Sequence, residues 1–449
     1  MKWIHRMFAL ALFTASFDTI LVVSVGGTLR FAQVMMMFVI VAAVAMMVQR
    51  RAILWPKGGS ALLLWYCCIT AFEPLSGGGR IGILLHLSLT FMLVGLYAVL
   101  QLYGRSAYLE RMIKVYLWSF VFVASFGLIQ FLMPPLHLGS WLINEWIIHG
   151  RLGRISGFSY EPSFFATYMI VGWIMLVDLR YSGARIVAAT HWKWMTIGVG
   201  VVLFLSTSKT AWIFMMVELT ARLWQYVRRG LGNAVDRLSI GSLKIPLPRI
   251  RVALAIAAGT FCVVLALNAL NNIIQLGVFL NGTGLNNTAS HSVSTRYTSF
   301  RDTVDVIVEQ PLLGRSLGGV PARIAERHGA TLNSIDDLRN YWGFPVIVDV
   351  LAASGVIAFL PFLWFFYTNT IGEFGLIRAH WPEERAKWMR ALVRALLYEC
   401  LALLVDQNIL RVYFWFHVTI VVVVGFNLRY CEPEPAKMQI ADAPQLAAV

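Results

Sequence analysis

Residues 281–343 read NGTGLNNTASHSVSTRYTSFRDTVDVIVEQPLLGRSLGGVPARIAERHGATLNSIDDLRNYWG, the longest run in the chain that is not built to lie in lipid. It is rich in Asn, Ser, Thr, Arg and Gly, whereas nearly everything outside it consists of apolar runs joined by short linkers. Taken from Gly277 to Gly343, the stretch reads as a large, partly helical loop that covers a membrane-embedded cavity.

Composition supports that division. With 58% hydrophobic and 13% charged residues over 449 positions and a mean hydropathy of +0.69, the chain reads as an all-α polytopic membrane protein. Its cysteines (Cys67, Cys68, Cys262, Cys400 and Cys431) show no CxxC or Cys/His spacing, and the first four lie inside apolar runs, so they read as packing residues. A span needs roughly 17–25 apolar residues to cross about 30 Å of hydrocarbon. Candidates lie near 7–25, 31–49, 60–73, 81–102, 112–133, 164–179, 194–208, 210–227, 252–276, 344–368, 388–405 and 411–428, about twelve transmembrane helices, with the large loop between the ninth and tenth. The first run follows Lys2, His5 and Arg6 like a secretion signal, but it lacks a small-x-small cleavage site and reads as a retained helix.

Basic residues orient the spans. Alternate connections hold Lys2/Arg6, Arg50/Arg51/Lys57, Arg105/Arg111/Lys114, Arg180/Arg185/Lys193, the basic series Arg222–Arg251, the series Arg378–Arg394, and Arg429/Lys437. The positive-inside bias makes that side cytoplasmic, with both termini on it and 277–343 outside. The net charge of +14 is thereby explained as membrane anchoring, and Arg222–Arg251 lacks the interleaved aromatics of a nucleic-acid site. Anchoring does not explain Arg30, Arg80, Arg151, Arg154, Lys209 and Arg411 on the outer side. Either they pair with acids and lipid phosphates, or some are kept for an anionic ligand. A pyrophosphate suits them, because guanidinium groups match phosphate oxygens two-pronged.

Residues 134–163 form a second outer segment. In PPLHLGSWLINEWIIHG, Leu138, Trp141, Leu142, Trp146 and Ile147 have the spacing of a helix lying in the interface. GRLGRISGFSYEPSFFATYM (150–169) follows. Gly153 and Gly157 permit tight turning, Pro162 suits the first helical position, and Glu161 falls at the cap, where the helix dipole favours the ionised carboxylate that a general base needs. A plain cap, or a pair with Arg154, is the structural alternative.

Three strings resemble a known superfamily. GRISGFSYEPSFFATY (153–168) is similar to the R-x-x-G-x-F…E-P-S-x-F-A string of bacterial O-antigen and exopolysaccharide polymerases. LSTSKTAWI (205–213) resembles the S-R-G/T turn of the O-antigen ligase and polymerase superfamily, with Lys209 where an Arg is usual. STRYTSFRDTVDVIVEQPLLGRSLGG (294–319) resembles its R-x-x-x-W…P-L-x-G-x-G signature, with Arg296 at the arginine, Phe300 replacing Trp, and Pro311, Leu312, Gly314 and Gly318 following. The strings amount to about fifty residues. The His-Asn pair of the ligases would fall on Phe344 and Pro345, measured back from Gly355, so the departure favours a polymerase. His291 and His328 lie elsewhere in the loop.

The resemblance implies a metal-independent, inverting GT-C-type glycosyltransferase in the bacterial inner membrane, without cofactor. It would polymerise undecaprenyl-pyrophosphate-linked repeat units for O-antigen (lipopolysaccharide) or exopolysaccharide biosynthesis. Its partners would be the lipid-linked donor, a glycan acceptor, the bilayer and a chain-length regulator. A pyrophosphate leaving group calls for cations and an acceptor base. Arg154, Lys209 and Arg296 are the expected pyrophosphate ligands and Glu161 the base, with Arg80, Arg301, His291 and Tyr160 as further substrate contacts. By domain, 1–429 is the transmembrane transferase, 134–163 and 277–343 its outer loops, and 430–449 a disordered cytoplasmic tail. Two other enzymatic or transport readings stay open: a ligase onto lipid A–core, and a lipid-linked oligosaccharide flippase, which the few mid-span acids (Asp18, Glu218, Asp349 and Glu399) and the lack of a repeat between the halves speak against. A non-catalytic envelope scaffold is a third.

Overall fold

The computed structural model describes residues 2–237 and 289–431 apart from 25–27, 52, 141, 144, 333–336, 343–344, 382 and 405–408. The expected span at 252–276, residues 238–251 of the series Arg222–Arg251, Cys262 and nearly all of the tail at 430–449 lie outside the described residues. In chain order the helices are α1 (Lys2–Phe13), α2 (Phe31–Arg50), α3 (Gly59–Phe72), α4 (Gly79–Tyr103), α5 (Leu109–Leu132), α6 (Pro162–Tyr181), α7 (Ala189–Leu205) and α8 (Lys209–Arg237). After the undescribed stretch come α9 (Ala289–Glu309), α10 (Ser316–Arg327), α11 (Leu338–Tyr341), α12 (Val346–Asn369), α13 (Phe374–Ala379), α14 (Glu384–Ala402) and α15 (Val412–Tyr430). Two small antiparallel hairpins interrupt them, β1 (Val22–Ser24) with β2 (Thr28–Arg30) and β3 (Trp146–Ile148) with β4 (Leu152–Gly153).

The protein is thus almost wholly helical, and six segments are long and apolar enough to cross a membrane: Phe31–Gln49, Gly79–Tyr103, Leu109–Leu132, Pro162–Tyr181, Val346–Ala379 and Val412–Tyr430. Their burial sorts them. The windows in Pro162–Tyr181 and Val412–Tyr430 are 89% and 94% buried, against 39–56% for the other four, so α6 and α15 are central and the rest surround them. Many of the side chains left exposed on the outer helices are apolar, among them Val41, Val48, Leu64, Ile129, Ile357 and Leu360. In lipid such a surface carries no exposure penalty, and α-helices keep their backbone polar groups satisfied internally.

Side-chain bonds group the helix ends into two sets. At one end, Asp18 beyond α1 meets Arg30 before α2 and Arg411 before α15. Gln130 near the end of α5 accepts from the amides of Ser156 and Gly157 before α6. At the other end, His5 at the start of α1 reaches Tyr103 at the end of α4, Asn427 of α15 bonds the Gly104 carbonyl, and Lys57 and Arg429 share Glu373. The helices therefore alternate in direction, as short linkers between antiparallel neighbours require.

The 311–319 string is locked to a break in α12. Gly355 has φ 61° and ψ 172°, and a Cβ there would collide with the Leu312 carbonyl and the Gly314 amide. A residue turned out of the helix frees the amides that follow it, and the loop backbone takes them up. Pro311 O accepts from Val356 N at 2.9 Å, Leu312 O from Ile357 N at 3.2 Å, and Ala352 O accepts from Arg315 N at 2.9 Å. Irregular backbone within a span is tolerated where protein buries it in this way.

Two expectations require correction. Among the described residues of 134–163 there is no interfacial helix. Turns and the β3–β4 hairpin occupy the segment, because His137 (φ 57°), Gly139 (φ 93°) and Gly150 (φ 74°) adopt left-handed backbone that a helix cannot continue through. The first expected span, 7–25, is helical only as far as Phe13, with turns and the β1 strand following it to Ser24; on α9, Thr303 and Val306 form the buried face and Val308 is 72% exposed.

Candidate functional site

The end of the bundle that carries 150–169 also holds buried Arg411 and part-buried Arg30. Asp18 is 2% exposed; its Oδ1 lies 2.7 Å from Arg30 Nε and its Oδ2 accepts from Arg411 Nη1 at 2.9 Å. The Arg411 guanidinium also lies 3.6 Å from the centroid of the Phe164 ring, one turn into α6 from Glu161, and its Nε is buried without a hydrogen-bond partner. The amides of Asp18 and Thr19 and the Thr19 hydroxyl all donate to the Phe158 carbonyl, which pins this acid to the 153–161 string. One carboxylate thus serves two guanidiniums, leaving a local surplus of positive charge at the start of the central helix. Burial strengthens the field of such a surplus relative to water.

Arg154 lies at the same end. Its Nε donates to Thr207 Oγ1 at 3.0 Å and to the Ser206 carbonyl at 3.4 Å, and Nη1 donates to Glu145 Oε2 at 2.7 Å. Ser206, Thr207 and Ser208 form the buried turn between α7 and α8, with Thr207 at φ 54°, and exposed Lys209 opens α8. Two of the three recognised strings therefore touch through Arg154. Glu161 occupies the cap position with extended backbone, followed by Pro162 as the first helical residue. Its carboxylate is exposed, makes no capping bond and accepts from Ser163 Oγ at 3.2 Å. Arg154 pairs with Glu145, not with Glu161. Tyr160 beside it is half-buried.

The third string stands on other helices. Arg301 is exposed on α9 and Arg80 exposed on α4. His291 and Arg296 fall within α9, with side chains outside the described residues, so their approach to Arg154 and Lys209 is not defined. His328 Nε2 lies 3.0 Å from Asp302 Oδ2 as part of a loop network. In that network Glu309 receives Arg323, Arg327 and Arg315 at 2.6–3.1 Å. Arg323 foremost, with Arg327, holds the Glu309 carboxyl down to about 2.

A cluster that sequence reasoning missed anchors the same loop. Ser316 Oγ lies 2.6 Å from Glu73 Oε2, 2.7 Å from the Ile69 carbonyl and 3.2 Å from His86 Nε2, and Gly318 N donates to Glu73 Oε2 at 3.3 Å. Ser316, Glu73 and His86 are all buried. Gly78, Gly82 and Gly318 leave room for the carboxylate, and a Cβ on Gly82 or Gly318 would overlap it. The signal available was a carboxylate, Glu73, placed four residues before the Gly77–Gly79 triplet at the end of an apolar run. The mid-span acids all have partners: Asp18 as above, Glu218 with Arg222, Arg394 and Tyr398, Asp349 with Trp342, and Glu399 with His417. No protein-family model matches the chain, and comparison with curated proteins finds no match.

Proposed function

We propose that the protein is a multi-pass inner-membrane glycosyltransferase that polymerises undecaprenyl-pyrophosphate-linked repeat units at the outer face of the bilayer. The contact of Arg154 with the Ser206–Thr207 turn carries the reading, since it joins two strings that are 52–53 residues apart, the second of which runs on into the exposed Lys209. In this reading about twelve spans place α9–α11 and 134–163 outside and both termini in the cytoplasm. The basic residues on the opposite end, including Lys57, Arg111, Arg385 and Arg429, support that orientation.

Arg154, Lys209 and Arg296 stabilise the charge that builds on the departing pyrophosphate, and the surplus cation of the Arg30/Arg411 pair on Asp18 adds to the field there. Glu161, exposed and untethered by a cap bond, accepts the proton of the acceptor hydroxyl as that oxygen attacks the anomeric carbon from the face opposite the leaving group. The glycan chain passes to the acceptor and the lipid pyrophosphate leaves with the bonding pair. A ligase acting on lipid A–core is the second reading, and a flippase the third. The pairing of every mid-span acid with a fixed partner favours neither a proton relay nor transport.

The purified protein, incubated with lipid-linked repeat units alone, is expected to give a ladder of longer products. Products formed only when lipid A–core is added would assign a ligase, and no product with either would remove the enzyme reading. Arg154→Glu and Arg296→Glu are each expected to abolish the ladder, with a fall of at least about 100-fold for loss of a charge-stabilising group, while membrane insertion is retained. A ladder of normal length from Arg296→Glu would take Arg296 out of the site.

A further inference from the structure

A cleft of about 600 Å³ opens between α13 and α14, lined by Phe374, Ile377, Arg378, Trp381 and Arg390. It lies at the opposite end of the bundle from Arg154, where α13 closes the apolar segment Val346–Ala379. Its lining is two guanidiniums and two aromatic rings, with Phe374 and Trp381 38% and 42% exposed. Arg378 is exposed, and its guanidinium makes no ion pair or hydrogen bond among the described residues.

Behind the cleft lies a buried ion cluster that is short of negative charge. Asp178 and Glu218 are wholly buried, and three arginines converge on them. Arg222 reaches both acids (2.8 and 2.6 Å), Arg394 reaches both, and Arg390 Nε lies 3.3 Å from Asp178 Oδ2. Arg390 links the cluster to the cleft, with its guanidinium 5.6 Å from the Tyr181 ring centroid and 5.7 Å from that of Trp381. The neighbouring acids are committed elsewhere: Glu373 to Lys57 and Arg429, Glu383 to Arg385, and Glu384 to Lys387. Among the described residues, then, three arginines meet two carboxylates, and Arg378 adds a further unmatched cation. An uncompensated charge at a partly buried site is unfavourable, and an anion in the cleft would offset it.

We propose that this cleft binds the phosphate headgroup of an anionic membrane lipid. Arg378 and Arg390 hold the phosphate oxygens, and Trp381 and Phe374 lie along the glycerol and the first acyl carbons. The aromatic half of the lining selects a lipid over free phosphate, since indole and phenyl rings favour the boundary between headgroup and hydrocarbon. The volume suits a headgroup, falling within the 300–1,000 Å³ typical of ligand sites. The inference rests on the membrane-embedded fold and not on the glycosyl-transfer reading, so the two fail separately.

The test uses the full-length protein in mild detergent, freed of co-purified lipid. It is titrated with phosphatidylglycerol, phosphatidylcholine or inorganic phosphate, with native mass spectrometry reading bound lipid and tryptophan fluorescence reading the melting temperature. Phosphatidylglycerol is expected to bind at least about ten-fold more tightly than phosphatidylcholine, the equivalent of one charge-assisted contact. Arg378→Gln is expected to erase that preference while leaving the melting temperature without lipid unchanged, because Arg378 supports nothing else. Trp381→Ala should weaken phosphatidylglycerol binding without creating a preference for phosphatidylcholine. Equal binding of the two lipids, an unchanged preference in Arg378→Gln, or displacement of phosphatidylglycerol by millimolar inorganic phosphate would each overturn the proposal.

Discussion

Asp18 shows how little of a buried site one residue's neighbourhood in the chain reveals. Sequence marks it as a carboxyl at the end of an apolar run and marks Arg30 and Arg411 as outer cations, but Arg411 is 393 positions away from it. Only the fold joins them, and of the two roles the sequence leaves open for these cations, an acid partner or an anionic ligand, it gives both the acid. Asp18→Asn would leave both guanidiniums without their carboxylate, an expected loss of about 3–5 kcal/mol that a melting-temperature measurement in detergent would read. Arg154→Gln, which breaks the pair with Glu145 and the bonds to the buried Ser206–Thr207 turn, should cost about 1–3 kcal/mol in the same assay, less than Asp18→Asn. The Gly318 position gives a second contrast. A Cβ there overlaps the backbone of Gly82 as well as the Glu73 carboxylate, and backbone cannot rotate aside. Gly318→Ala is expected to destabilise by about 1–3 kcal/mol, whereas Gly329→Ala, with open space around it, should suffer only the strain of its φ of 69°.

Elements were legible where apolar length alone decides them. Ten of the expected apolar runs coincide with helices, the first, 7–25, is helical only as far as Phe13, and the remaining one, 252–276, lies outside the described residues. Pro162 starts α6 as its fixed φ requires. The interfacial helix was misread because spacing at Leu138, Leu142 and Trp146 carries no information about the left-handed turns at His137, Gly139 and Gly150. Pairing of α9 with α10 was not readable either, since it depends on three arginines from different turns converging on Glu309. Because the folded carboxyl sits at about 2 against an ordinary 4.5, the unfolded segment takes up a proton first. The stabilisation is therefore complete above about pH 4.5 and is lost as pH falls toward 2. Hydrogen exchange of residues 297–327 should be slow and unchanged from pH 7 to 5 after correction for intrinsic rates, then quicken below pH 4. Glu309→Gln should already exchange fast at pH 7.

At the scale of the molecule, alternation of helix ends gives a sidedness that labelling can check. Single cysteines placed at Glu326, exposed on α10, and at Arg105, exposed between α4 and α5, are introduced into a cysteine-free background. A membrane-impermeant maleimide is expected to label the first in intact cells and the second only after permeabilisation. The opposite pattern would invert the orientation and move 134–163 and α9–α11 to the cytoplasm. The break at Gly355 has a consequence for any attempt to exchange parts with another protein. Since the segment Pro311–Arg315 completes the backbone bonding of α12, the polar loop is not a detachable module. A hybrid that grafts 277–343 alone would leave orphaned amides in the bilayer, and a viable transplant must carry the first half of α12 with it.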